Sequence, residues 1–269
     1  MSTKISILGC GWLGFPLAKS FIQNGFIVNG STTSNQKLNI ISSFGISPFL
    51  IDVENLSDSI TAFLNAEVLV LAMTPKSIVA YQNLIQQIEQ SNIKKVIFIS
   101  STSVYENASE PITEEFPVKD STLSYAENLF RSNPNFKSTI IRFAGLIGYN
   151  RNPNNFFKNG KKIENPNGVV NMIHQDDCIR IIQAIIKQNV WNETFNACTD
   201  THPTRRDFYT HAFECFGKNP PEFVESDYPE FKLISNQKLK STLNFEFKYS
   251  NLLQLNQMPF EDDNRDKNE

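Results

Sequence analysis

Short apolar runs recur through the first half of the chain, and stretches with helical spacing separate them. The runs at residues 5–8, 26–30, 47–51, 68–72 and 95–100 predict strands, and residues 39–44, 57–64 and 81–91 predict helices between them. Val68-Leu69-Val70-Leu71-Ala72 is apolar throughout, the pattern of a central strand covered on both faces. Alternation of this kind predicts an α/β fold built on a Rossmann-type doubly wound parallel sheet. Further on, Ser124-Tyr125-Ala126-Glu127 reads as a capping box opening a helix that ends before Pro134, and residues 138–143 read as another strand. Asp176 and Asp177 are placed to cap an amphipathic helix over 178–187, and a last clear helix spans 205–216. Residues 149–168, rich in Asn, Gly, Lys and Pro, read as loop, and the all-polar 261–269 as a disordered tail.

The junction between the first strand and the first helix carries Gly9-Cys10-Gly11-Trp12-Leu13-Gly14. Between strand and helix, each glycine has a separate task. Gly9 permits the tight turn, Gly11 lets a pyrophosphate approach the backbone, and Gly14 lets the helix pack closely on the strand. The phosphates would rest on the N–H groups of the helix start, beside Trp12 and Leu13. Ligands of such sheets lie beyond the carboxyl ends of the strands. That adds Thr32, Thr33, Asp52, Val53, Ala72 and Ser100 to the expected cofactor-binding set, with Asp52-Val53 placed to meet an adenine ring. An acid at the end of the second strand would grip the ribose hydroxyls and select NAD, but Val28-Asn29-Gly30-Ser31-Thr32-Thr33-Ser34-Asn35 has none. Hydroxyls and an amide accept a 2′-phosphate without repulsion, and Lys37 is the nearest cation, so NADP(H) is expected ahead of NAD. The organisation follows: a dinucleotide-binding Rossmann domain over 1–148, then residues 149–260, which return a helix and a strand to that core and form a small C-terminal substrate lobe.

Composition removes other classes. The chain has 25 Lys and Arg against 28 Asp and Glu, a net charge of −3 without a basic stripe, which argues against nucleic acid as a partner. No apolar run approaches the ~20 residues of a membrane span. The glycine turn stands where a signal peptide would have its cleavage region, so a cytoplasmic protein is expected. The 4 cysteines, Cys10, Cys178, Cys198 and Cys215, show neither a C-x-x-C pair nor metal-ligand spacing. They read as reduced thiols, and no metal is expected.

Several later segments share one resemblance. Phe98-Ile99-Ser100-Ser101-Thr102-Ser103-Val104-Tyr105 resembles the S-S-x-x-V-Y segment of extended short-chain dehydrogenase/reductases, the NAD(P)-dependent epimerase/dehydratase family. Ile141-Arg142-Phe143-Ala144-Gly145-Leu146-Ile147-Gly148 is similar to that family's "LRxxGxYG" strand and turn, and Val170-Asn171-Met172-Ile173-His174-Gln175-Asp176-Asp177 to its "IHVDD" segment. The G-C-G-W-L-G turn, Pro203-Thr204-Arg205-Arg206-Asp207-Phe208-Tyr209 and Ile234-Ser235-Asn236-Gln237-Lys238-Leu239 resemble an atypical, YeeZ-like branch. The resemblance implies a tyrosine general acid/base, a lysine four residues on, and a serine that holds the substrate oxygen. It assigns the serine role to Ser101, and Tyr125 is the only tyrosine in the right stretch, but Leu129 stands where the lysine belongs. A phenol of pKa ≈ 10 is only about one part in a thousand ionised at pH 7, a poor base without a cation beside it.

Sugar-nucleotide members carry an arginine shortly before the "IH" pair, and Val170 takes that place here. His174 reads as a structural histidine, Asp176 and Asp177 as caps, and Arg205-Arg206 as a helix start or an anion site that needs compensation for opposing the dipole. The leading expectation is an NAD(P)-dependent oxidoreductase acting on a small carbonyl or hydroxyl substrate oriented by Ser101, with hydride chemistry supplied by the cofactor. The alternatives are a dinucleotide-binding sensor or interaction protein without turnover, or a nucleotide-sugar epimerase/dehydratase. In the family, helices flanking such sheets often form homodimers, and nothing in the sequence selects one.

Overall fold

A computed structural model describes residues 3–57, 59–157, 161–225 and 231–260. The expected tail at 261–269 lies outside them. Seven strands form the central parallel sheet in the order β10-β6-β5-β4-β1-β2-β3. They are β1 (Lys4–Leu8), β2 (Ile27–Thr32), β3 (Ser47–Leu50), β4 (Val68–Leu71), β5 (Lys95–Ser101), β6 (Lys137–Phe143) and β10 (Thr194–Ala197). Ile7 on β1 stands opposite Gly30 on β2 and Val70 on β4. The chain runs outward from β1 through β2 to β3, then returns to β4 on the other side of β1. The crevice where a doubly wound sheet takes its ligand therefore opens beyond the carboxyl ends of β1 and β4.

Helices connect the strands: α1 (Gly14–Gln23), α2 (Asn35–Ser43), α3 (Ser59–Phe63), α4 (Ile78–Glu89), α5 (Thr122–Arg131) and α6 (Gln175–Gln188). The unbroken apolar run of β4 is wholly buried, as its sequence requires. Around it Phe63, Tyr81, Phe98, Phe130 and Ile140 close a core in which the Phe98 and Phe130 rings stack with centroids 5.0 Å apart.

Some boundaries differ from the sequence expectation, each for a local reason. β2 runs two residues beyond position 30, because its ladder with β3 continues to Thr32 opposite Leu50. α4 begins at Ile78 rather than at 81, since Ser77 caps it by accepting the Ala80 N–H at 3.2 Å. The capping box of α5 is Ser121 with Ser124, one turn ahead of the one read at Ser124-Glu127, which frees Glu127 for other work. α6 begins at Gln175, so Asp176 and Asp177 lie inside its first turn instead of capping it.

The chain falls into two compact units, one comprising Met1–Val104, Val118–Arg142 and Ile182–Phe195, the other Tyr105–Pro117, Phe143–Ile181 and Asn196–Glu269. The second unit carries two small parallel pairs, β7 (Gly145–Ile147) with β9 (Met172–His174) and β8 (Ile163–Glu164) with β11 (Phe223–Val224). It also carries α7 (Arg205–Cys215) and α8 (Gln237–Leu243). Its own core joins Ile147, Val170, Met172, Phe208, Tyr209 and Leu252. Thr204 caps α7 by accepting the Asp207 N–H at 3.1 Å, and Asp207 in the first turn offsets the two arginines at the helix start. Among the described residues no helix is long and apolar enough to cross a membrane. Cys10, Cys178 and Cys198 are buried free thiols and Cys215 an exposed one.

Candidate functional site

The glycine turn is held by its own backbone and by β2. Gly9 sits at φ +99°, where side chains are strained, and its N–H donates to Ser31 Oγ at 2.9 Å. The Cys10 N–H donates to the Ser31 carbonyl at 2.7 Å and the Gly11 N–H to the Gly9 carbonyl at 2.8 Å. Burial pushes the Cys10 thiol up to about 12, so it fills the turn as a protonated small residue. α1 then starts at Gly14 with no side-chain cap from Leu13 and no acid in its first turn. Among the described residues the N–H groups of Leu13 and Gly14 meet no protein acceptor. The positive end of α1 is thus left for an anion.

In front of this turn lies a cavity of about 690 Å³. Gly9, Gly11, Thr32, Thr33, Asp52, Val53 and Ala72 line it, so most of the expected cofactor residues converge on one space. Trp12, Leu13 and Gly14 belong to the helix start behind it rather than to its lining. Ser100 is not in the lining either, because its hydroxyl donates to Glu127 Oε1 at 2.6 Å. Asp52 uses its carboxylate locally, accepting the Glu54 N–H at 3.0 Å and Asn55 Nδ2 at 3.2 Å. Glu54 and Lys76 also line the cavity, and neither stands out in the sequence because each lies in an ordinary polar loop.

Ser101 ends β5, and its hydroxyl accepts the Ser103 N–H at 3.0 Å. Tyr125 lies in the first turn of α5 and is 50% exposed. Leu129, in the place of the family lysine, packs against the apolar core. The feature that sequence reasoning missed is Glu127, which is 1% exposed and accepts Arg142 Nε at 2.9 Å, Arg142 Nη2 at 2.5 Å and the Ser100 hydroxyl. This buried ion pair ties α5 to β6 and to the end of β5, the elements that carry Tyr125 and Ser101.

In the second unit His174 is wholly buried beneath Tyr249, Tyr149 and Phe260, with ring centroids at 4.4, 5.6 and 6.2 Å. Its Nδ1 accepts the Asp176 N–H at 3.1 Å, which leaves the ring proton on Nε2 facing the Pro259 carbonyl at 3.4 Å. Asp176 accepts both the Tyr149 and the Tyr249 hydroxyl, at 2.8 and 3.2 Å, and pairs with Lys248 at 3.0 Å. Asp177 accepts the backbone N–H groups of Lys248 and Tyr249 and pairs with Arg180 at 2.6 Å. The two acids fasten the segment near 248–260, a role that capping alone does not explain. Val170 is buried in the apolar core of this unit, so its position offers no charge to a ligand. Arg206 pairs with Glu225, whereas the buried Nε of Arg205 has no hydrogen-bond partner among the described residues.

Burial lowers the affinity of His174 and of His202 for a proton, in His174 against the opposing charge of Asp176. Below about pH 6.5 the unfolded chain takes up protons that these folded histidines refuse, so stability falls with pH. We expect the unfolding free energy from urea titration to fall as the pH drops from 6.5 to 5.5, by no more than about 2 kcal/mol for the two histidines together. A flat profile over that interval contradicts this account of the two histidines.

No family model matches the chain. It is 31% identical over 264 residues to the protein YeeZ of Escherichia coli K12, a match that spans 91% of this chain and 96% of that protein. Among solved structures it is similar to a Methylobacillus flagellatus protein assigned as an NAD-dependent epimerase/dehydratase, at a TM-score of 0.80 and 24% identity over 94% of this chain and 96% of that one. It is also similar to UDP-glucuronic acid 4-epimerase from Bacillus cereus, solved in complex with UDP-glucuronic acid and NAD, at a TM-score of 0.78 and 18% identity over 93% of this chain and 96% of that one. At these identities the two structures establish the Rossmann-type fold.

Proposed function

We propose that this chain, which belongs to the family of YeeZ, is an NADP(H)-binding oxidoreductase of the extended short-chain dehydrogenase/reductase, epimerase/dehydratase type. Its substrate would be a small molecule with a carbonyl or hydroxyl group. The observation that carries this reading is the uncapped start of α1 behind Gly9 and Gly11, opening on a cavity of about 690 Å³ at the carboxyl ends of β1 and β4. The residues fit the cofactor on their own chemistry. Gly9 and Gly14 close a turn that side chains would obstruct, and the Leu13 and Gly14 N–H groups await an anion.

When bound, the nicotinamide supplies the hydride chemistry. Gly11 and the α1 start would hold the pyrophosphate, and Val53 and Ala72 would flank the adenosine half. The NADP(H) preference is supported by the hydroxyls of Thr32 and Thr33 at the end of β2, where no carboxylate stands to bind a free 2′-hydroxyl. Ser101 would donate its hydroxyl hydrogen to the substrate oxygen while its own oxygen goes on accepting the Ser103 N–H. Tyr125 would carry the proton to or from that oxygen, from the helix that Glu127 fixes in place.

A second reading, a dinucleotide-binding sensor without turnover, is favoured by Leu129, whose apolar side chain brings no positive charge to the helix that carries Tyr125. Incubation with NADPH and a panel of small aldehydes and ketones separates the two. The enzyme reading expects cofactor oxidation that falls by about 100-fold or more in Ser101→Ala, the scale of losing one preorganised donor to a developing charge. Tight cofactor binding with no oxidation across the panel favours the sensor.

A further inference from the structure

The cavity in front of the glycine turn holds two carboxylates and two ammonium groups, and they are not paired with one another. Asp52 is committed to the Glu54 N–H and Asn55, as described above. Glu54 is committed to the opposite wall. Its Oε1 accepts the Lys76 N–H at 2.6 Å and its Oε2 accepts the Ser77 hydroxyl at 2.9 Å. Ser77 in turn caps α4 through the Ala80 N–H. Glu54 therefore fixes the backbone at Lys76 from across the cavity. The Lys37 and Lys76 ammonium groups, by contrast, have no ion pair or hydrogen bond among the described residues. They come from separate elements, Lys37 from the first turn of α2 and Lys76 from the loop after β4, and line the same space as Thr33.

Two uncommitted cations lining the same space as a hydroxyl, with each neighbouring acid already accepting a backbone N–H and a side-chain donor, suit a dianionic group better than a neutral diol. We infer that Lys37 and Lys76 form a two-sided clamp for the 2′-phosphate of NADP(H), with Glu54 as the residue that positions Lys76. This rests on the dinucleotide reading above and deepens it, because it assigns the discrimination against NAD to named side chains. Lys76 is the less expected partner, since it lies 39 positions beyond Lys37 and follows the fourth strand rather than the second.

The test is a fluorescence titration of the full-length protein with NADPH, NADH and 2′,5′-ADP. Lys37→Ala and Lys76→Ala should each weaken NADPH and 2′,5′-ADP by about tenfold, the scale of one charge-assisted hydrogen bond, with NADH within about twofold of native. Retained NADH binding also shows that each variant is folded. Glu54→Ala should lower the NADPH-to-NADH affinity ratio in the native background and leave it unchanged in Lys76→Ala, a non-additivity that a purely structural role would not produce. An unchanged ratio in the double lysine variant overturns the clamp while leaving the dinucleotide reading standing. Failure of native protein to bind any of the three ligands overturns both.

Discussion

A valine at Gly11 is expected to weaken NADPH binding by at least about 100-fold, or roughly 2.7 kcal/mol, while leaving the fold intact. A side chain at Gly11 would meet no atom within 4 Å, so the protein itself has room for it. That room is the cavity, whose wall Gly11 forms, and it is where the proposed pyrophosphate would approach the backbone. Gly14 provides the contrast. A methyl group there would stand 3.0 Å from the Gly9 carbonyl carbon and 3.2 Å from Ala72 Cβ, so Gly14→Val should damage the fold as well as the site. Measured together, the thermal midpoint and the NADPH dissociation constant separate them: Gly11→Val moves only the second. NADPH binding within about fivefold of native in Gly11→Val contradicts the placement of the phosphates, since a tenfold loss is the least that a blocked approach would leave.

The largest effect on stability is expected at Glu127. Removing its carboxylate strips Arg142, only 2% exposed, of a bidentate partner and leaves the Ser100 hydroxyl without its acceptor. Glu127→Ala should cost about 3–5 kcal/mol in urea unfolding, as expected when one member of a buried ion pair is deleted. Arg131 cannot compensate, because it is itself a cation and loses the same carboxylate, which it reaches from the surface at 3.3 Å. Replacing both partners by apolar residues of similar volume, as in Glu127→Leu with Arg142→Met, should recover most of the loss. A cost below about 1 kcal/mol for Glu127→Ala would show that water or another donor already satisfies the pair.

Much of the fold is legible in the chain because it is written in short-range patterns. The apolar run of β4, the strand–glycine–helix junction at Gly9 to Gly14 and the repeated strand–helix order each have a local physical cause. The architecture that follows from them is the one observed. What the chain hides is pairing at a distance. Glu127 reads as the acid of a capping box and Arg142 as part of a strand-and-turn motif, and only their approach across α5 and β6 reveals a buried ion pair. Asp176 reads as a cap by position, yet two tyrosine hydroxyls and Lys248 converge on it from segments far along the sequence.

The candidate site divides along the same line. Gly9, Gly11, Thr32, Asp52 and Ala72 meet at one cavity because the carboxyl ends of neighbouring strands must meet, which topology alone dictates. Lys76 and Glu54 enter it only because Glu54 bridges two loops, and no sequence spacing encodes that. Ser100 was expected at the cofactor, but its buried hydroxyl is engaged by Glu127. That contact depends on where the capping box of α5 falls, one turn earlier than the sequence suggests.

Calorimetric titration of NADPH and NADH into the native protein decides whether the cavity beside the glycine turn takes NADP(H). One site per chain is expected, with micromolar affinity for NADPH, about −8 kcal/mol, and weaker binding of NADH. Absence of binding by both dinucleotides at millimolar concentration, or tighter binding of NADH than of NADPH, would contradict it.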